Sequence, residues 1–140
     1  MKVLVINGSP NIHGCTDRAL KEVESVLTEQ GIECQRVNVG NKDVRGCIAC
    51  HTCRKTNKCI FDDLVNETAP IFAECDGILI GSPTYYYTAA DVERDKEGLQ
   101  TMRNLGRNMA FLIKAIDASK EKNGLPEQER NYFTSFLNED

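Results

Sequence analysis

Two stretches of this chain, Lys2-Val-Leu-Val-Ile-Asn7 and Gly77-Ile-Leu-Ile-Gly81, are continuously apolar, and each runs into a Ser-Pro pair, Ser9-Pro10 and Ser82-Pro83. A strand with one wet face alternates apolar and polar side chains. An unbroken apolar run belongs to a strand buried on both faces, as in a parallel sheet covered by helices. Between the two runs, Ala19, Leu20, Val23, Val26 and Leu27 recur with helical period. Thr16 stands where a helix cap is expected and Gly31 where a helix ends. Ile32 to Val39 reads as a second strand, more polar and suited to an edge. Strand–helix–strand–helix–strand order requires right-handed crossovers, so an α/β fold with a parallel sheet is expected.

The remaining segments fit the same plan. Asp62 and Asp63 suit the positive end of a further helix, which Pro70 is expected to interrupt and restart. A long helix is predicted from about Val92 to Lys120, with an apolar stripe of Leu99, Met102, Leu105, Leu112, Ile113 and Ile116. Gly98 and Gly106 weaken it by about 1 kcal/mol each relative to alanine, which close packing would explain. From Gly124 a tail carries Tyr132, Phe133, Phe136 and Leu137 as docking anchors. The length of 140 residues suits one domain, 1–140, with a cysteine loop at 40–60 and the final helix and tail at 92–140. A net charge of −4 with dispersed basic residues gives no footprint for nucleic acid. The apolar runs are too short to span a bilayer, and no signal peptide is expected at the amino end.

Cysteine usage is the strongest chemical signal. Of the 7 cysteines, Cys47, Cys50, Cys53 and Cys59 are crowded together, which fits a reducing cytoplasm better than a disulfide framework. Thiolates suit iron–sulfur clusters or zinc, and four cysteines hold a [4Fe–4S] cube. Structural zinc prefers two well-separated pairs, whereas here two CxxC units overlap at Cys50. A ferredoxin run has a different spacing and a proline after its last cysteine, where this chain has Ile60. A thiol/disulfide switch, or no metal at all, stays open. His51 is a less favoured ligand and His13 is expected to be an exposed loop residue. Cys34 and Cys75 read as buried small hydrophobes.

In an open α/β sheet, ligands bind beyond the carboxyl ends of the strands, where strand order reverses. With a flavodoxin-like order 2-1-3, that crevice lies between the first and third strands. The loops there are Gly8-Ser-Pro-Asn-Ile-His-Gly-Cys-Thr16 and Gly81-Ser-Pro-Thr-Tyr-Tyr-Tyr87. The first leads into a helix amino terminus able to receive a phosphate, yet it is neither a Walker loop nor a Rossmann glycine fingerprint. The second offers hydroxyls and aromatic faces to a flat ring with polar edges. Each loop alone could be a simple turn; together, at one switch point, they favour a ligand.

These residues resemble the flavodoxin-fold NAD(P)H-dependent FMN reductases and, among them, the iron–sulfur flavoproteins. The resemblance rests on Gly8-Ser-Pro-Asn11 with Gly14-Cys-Thr16, on the four cysteines followed by Asp62-Asp63, on Gly81-Ser-Pro-Thr-Tyr-Tyr86, and on Glu97 to Met109. It implies a flavodoxin-like three-layer sandwich. It also implies FMN phosphate on Ser9, Asn11, Cys15 and Thr16, and flavin and ribityl against Ser82, Pro83, Thr84, Tyr85 and Tyr86. Cys47, Cys50, Cys53 and Cys59 would then ligate a [4Fe–4S] cluster exchanging electrons with FMN. Cys15 stands where many members have asparagine. After Tyr87, members continue into a crossover helix, a fourth strand with another flavin loop, and a fifth strand. This chain passes instead through Thr88-Ala-Ala-Asp91 into what resembles the last helix, so strands 4 and 5 are missing.

The leading expectation is thus a redox flavoprotein moving electrons from NAD(P)H through FMN and the cluster to a small-molecule or protein acceptor, with no side chain as catalytic residue. Other readings are a non-enzymatic iron–sulfur or metal carrier and an inactive, internally deleted remnant. With the third strand left as an exposed apolar edge, a homodimer is expected.

Overall fold

The computed structural model describes residues 1–83 and 88–129. Thr84, Tyr85, Tyr86 and Tyr87, and the tail anchors Tyr132, Phe133, Phe136 and Leu137, lie outside the described residues. The elements in chain order are β1 (Lys2–Asn7), α1 (Cys15–Glu29), β2 (Glu33–Asn38), α2 (Cys53–Thr56), α3 (Leu64–Ala73), β3 (Gly77–Gly81), α4 (Ala89–Arg94) and α5 (Lys96–Asn123). The sheet has 3 parallel strands in the order β2-β1-β3. This is the expected flavodoxin-like α/β arrangement, with the apolar run of β1 in the centre and the polar β2 at an edge.

Alternation along β1 sends its side chains to opposite faces. Val3 and Val5 join Leu79 of β3, Leu20, Val23 and Leu27 of α1, and Ala110 and Ile113 of α5 in one buried cluster. Leu4 and Ile6 point the other way and, with Leu64, Val65, Ala69 and Phe72 of α3, line an open groove of about 290 Å³. By register Ile78 and Ile80 share that second face, and both are exposed. Ion pairs tie the well-packed face together. Arg36 on β2 binds Asp17 and Glu24 of α1, Arg103 of α5 binds Glu22 of α1, and Arg18 reaches Glu93 of α4.

Several local expectations change. Gly14, not Thr16, is the N-cap of α1, and Thr16 sits in its first turn. Gly31 does end the helix, at φ +77°, a conformation costly for any residue with a Cβ. The break expected at Pro70 is absent: α3 runs through it, capped by Asp63, whose carboxylate accepts from the Val65 N–H. Proline there forfeits the N–H that would reach Asn66, a local loss that the bonded ends outweigh. The break comes instead at Asp95, which divides α4 from α5 and accepts from the Gly98 N–H at 2.8 Å.

Packing sorts the two glycines of α5. A Cβ at Gly106 would sit 3.0 Å from the Val26 Cβ, so close helix packing explains that residue, whereas a Cβ at Gly98 would strike the capping Asp95 carboxylate. The buried stripe of α5 is Leu99, Gly106, Ala110 and Ile113. Leu105, Leu112 and Ile116, expected in it, are exposed. No helix among the described residues is long and apolar enough to cross a membrane.

Candidate functional site

The carboxyl ends of all three strands meet through glycines. The Gly8 N–H donates to the Gly81 carbonyl at 2.9 Å, and a Cβ on Gly8 would lie 3.1 Å from that oxygen. A Cβ on Gly81 would lie 2.6 Å from the Thr16 methyl. Gly40, just past β2, is the tightest: its Cβ would fall 2.2 Å from the Ser9 carbonyl carbon. The glycines therefore let the loops after β1 and β3 lie side by side, as the switch-point argument requires.

The β1–α1 loop is held by a relay of side-chain-to-backbone bonds. Asn7, fully buried, accepts from the Ser9 N–H at 3.0 Å and donates to the Asn38 side chain at 3.3 Å. The Ser9 hydroxyl accepts from the Asn11 N–H at 3.2 Å, and the Asn11 side chain accepts from the His13 N–H at 3.1 Å. Ser9 and Asn11 thus shape the loop, with their own amides engaged in it. What remains to meet an anion is the amino end of α1, a 15-residue helix entered from a glycine and so without a capping side chain. Asp17 lies in that first turn. Burial acts to raise its pKa, but Lys21 and Arg36 overcome this and hold the carboxyl below its ordinary value. Neutralised by that pair, it opposes an incoming phosphate less than a lone carboxylate would.

Cys15 and Thr16 also line a cavity of about 350 Å³ with Leu79, Ile80, Ser82 and Met102. It is mostly apolar. Pro83 adjoins it in sequence, its Cδ 4.0 Å from the Cβ position of Gly8. The structure therefore brings together Ser9, Asn11, Cys15, Thr16, Ser82 and Pro83, while Thr84, Tyr85 and Tyr86 fall outside the described residues.

The cysteine loop has a different character. Cys47, Cys50 and Cys53 are exposed, Cys59 is half-buried, and none is in a disulfide. Ala49 and His51, flanking Cys50, take the left-handed conformation at φ 54° and 57°. For residues with a Cβ each costs about 1–2 kcal/mol, and such outliers collect at ligand clamps. They curl the chain so that the Ala49 N–H donates to the Cys47 sulfur at 3.4 Å. The Thr52 hydroxyl and then its backbone N–H hold the Cys50 thiol below its ordinary pKa, whereas burial pushes Cys34 and Cys75 up. The donor chemistry, four thiols outside any disulfide with an N–H···S contact at Cys47, suits a thiolate-bound cluster. The thiols are not drawn together, however: no group of three or more His, Cys, Asp or Glu among the described residues is arranged to hold a metal ion.

Three contributors escaped sequence reasoning. Asn7 sits at the end of an apolar run, where a polar residue marks the turn. Gly40 betrayed itself only as a glycine between strand and loop. Asn66 accepts from the Cys59 N–H at 2.7 Å and donates to the carbonyls of Cys59 at 3.2 Å and Phe61 at 3.1 Å; nothing in its sequence context marked it.

Comparison with known proteins agrees with this geometry. Curated relatives include iron-sulfur flavoproteins of Methanocaldococcus jannaschii, 37% identical over 86 residues, Archaeoglobus fulgidus, 33% over 86 residues, and Methanosarcina thermophila, 32% over 85 residues. Each alignment covers 61% of this chain but only 45%, 39% and 44% of the relative, so the chain spans less than half their length. No solved structure matches. The model of the NADPH-dependent FMN reductase family matches residues 1–90, which takes in the glycine junction, both strand-end loops and all four clustered cysteines; the chain belongs to that family.

Proposed function

We propose that this chain is an NAD(P)H-dependent redox flavoprotein that binds FMN at the β1/β3 strand ends and a [4Fe–4S] cluster on Cys47, Cys50, Cys53 and Cys59. The observation that carries the proposal is the glycine junction, where Gly8 and Gly40 admit the backbones of Gly81 and Ser9 and Gly81 admits Thr16 of α1, so that the loops after β1 and β3 lie side by side. When bound, FMN would supply exchange between two-electron and one-electron chemistry, and the cluster one-electron transfer. The chain's own residues bind and orient. The first turn of α1, with the Thr16 hydroxyl, receives the phosphate. Asn7, Ser9 and Asn11 hold the loop that leads into this helix end, and Ser82 and Pro83, leading into Thr84, Tyr85 and Tyr86, would lie against the ring and ribityl chain. No side chain is assigned proton transfer.

One observation favours a second reading. The cavity beside Ser82 lies where β3 has no outer neighbour among the described residues, so FMN held only by these loops would be less enclosed, and the chain could serve as an iron–sulfur carrier. Purification under strict anoxia, with an absorption spectrum and iron and flavin quantification, separates the two. Flavin bands with iron are expected; iron without flavin selects the carrier, and a colourless protein overturns both.

We also infer a homodimer across the β3 edge, because β3 has no outer neighbour among the described residues and Ile78 and Ile80, the latter 64% exposed, stand uncovered on it. Sedimentation should give a two-chain mass; a monodisperse monomer would overturn the inference.

A further inference from the structure

Both ends of the cysteine loop are fastened to the same turn of α3. At the entrance, the Arg45 N–H donates to the Asp63 carboxylate at 3.2 Å, and the Arg45 guanidinium lies 4.6 Å from the centre of the Phe61 ring. At the exit, Asn66 takes both main-chain groups of Cys59, accepting from its N–H and donating to its carbonyl, and holds the Phe61 carbonyl as well. Asp63 is the N-cap of α3 and Asn66 lies three residues on, within its first turn. The residues between are either without regular structure or in the four-residue α2, and carry the left-handed Ala49 and His51.

We propose that Asn66 is a positioning residue that holds Cys59 in place for the cluster before the other three thiols close on it, with the Asp63–Arg45 contact holding the opposite end of the loop. This rests on the reading of the four cysteines as cluster ligands. Cys59 is then preset on a helix while Cys47, Cys50 and Cys53 gather from the exposed side of the loop as the core arrives. Residues that orient ligands without touching the metal commonly change metal retention by about 10–100-fold when removed. Asparagine suits the task because one side chain both accepts from the Cys59 amide and donates to two carbonyls. Leucine fills the same space with neither ability.

The test uses the full chain reconstituted anaerobically with ferrous iron and sulfide, comparing wild type with Asn66→Leu and Asn66→Asp. The aspartate variant keeps the acceptor for the Cys59 amide but loses both donors, and a carboxylate in the first turn favours the α3 dipole. Leucine is also the better helix former, so neither substitution is expected to weaken α3 itself, and a loss of iron in either variant reports on Cys59 rather than on helix stability. Iron release to a chelator is expected to be about tenfold faster in Asn66→Leu and intermediate in Asn66→Asp. In the iron-free chain, alkylation of Cys59 is expected to accelerate while that of Cys47, Cys50 and Cys53 does not. Unchanged release in Asn66→Leu, or equal acceleration at all four thiols, overturns the assignment. A wild-type chain that takes up no iron overturns the cluster reading itself and the role given to Asn66 with it.

Discussion

The two faces of the sheet do different work. On the α1/α5 face, Val3, Val5 and Leu79 are buried under two long helices, and the ion pairs of Arg36, Arg103 and Arg18 join the surrounding elements. On the α3 face, no residue of the helix is buried, and Phe72 is 56% exposed over a groove that the helix only partly covers. The cysteine loop is attached to this second face. Buried apolar packing is concentrated on the α1/α5 face, and the segment with the left-handed residues rests on the face with little packing to lose. A loop that must rearrange around an inorganic core gains from such a base, since opening free energy is low where buried apolar contact is scarce.

The contrast can be broken most directly by a pair of truncations. Leu27→Ala, on the packed face, should cost about 2–5 kcal/mol in denaturant unfolding. Phe72→Ala should cost less than about 1 kcal/mol, as expected away from a core. Equal costs would mean that the α3 face is a second core. Next in size is Gly40→Ala, which pushes a methyl into the Ser9 backbone where the two regions join. A destabilisation of about 1–3 kcal/mol is expected, together with weaker FMN binding in a fluorescence titration. Unaltered FMN affinity would detach the junction from the flavin site.

A smaller effect of opposite sign is expected inside the cysteine loop. Ala49→Gly relieves a left-handed alanine at about 1–2 kcal/mol against a glycine entropy cost of about 0.5–1 kcal/mol. The iron-free chain should therefore gain up to about 1.5 kcal/mol by thermal melting, and a loss would mean that the strain is not where the backbone places it. The smallest effect is acid sensitivity of α4. Hydrogen bonds from the Thr88 hydroxyl and amide, with Arg94, lower the Asp91 pKa to about 2. The folded value is depressed, so the stabilisation is present above the ordinary carboxylate pKa and is lost as pH falls through about 2. The Thr88 amide resonance should shift over that window, while Leu27 and its neighbours stay protected.

Much of this was legible in the residues because it was local. Continuous apolar runs in β1 and β3 mark strands buried on both sides, and Gly31 and Asp63 mark helix ends by backbone chemistry that acts within a few residues. The four cysteines announce their chemistry by type and crowding. Other features were not legible, for identifiable reasons. The stripe of α5 was misjudged at Leu105, Leu112 and Ile116 because periodicity shows that a helix has an apolar side, not how much of that side finds a neighbour. Pro70 was expected to break α3 on propensity alone, and the bonded ends of the helix prevailed.

By itself, the sequence determined the three strands with the helices α1 and α3 between them, the parallel sheet and the identity of the soft ligands, because those depend on side-chain type and on spacing along the chain. Only the tertiary structure decided that Gly40 lies against Ser9, that Asn7 holds the first loop, and that Asn66 holds Cys59. Those contacts join residues whose nearness depends on how the crossovers pack, and a hydrogen bond across a fold leaves no period in the chain that makes it.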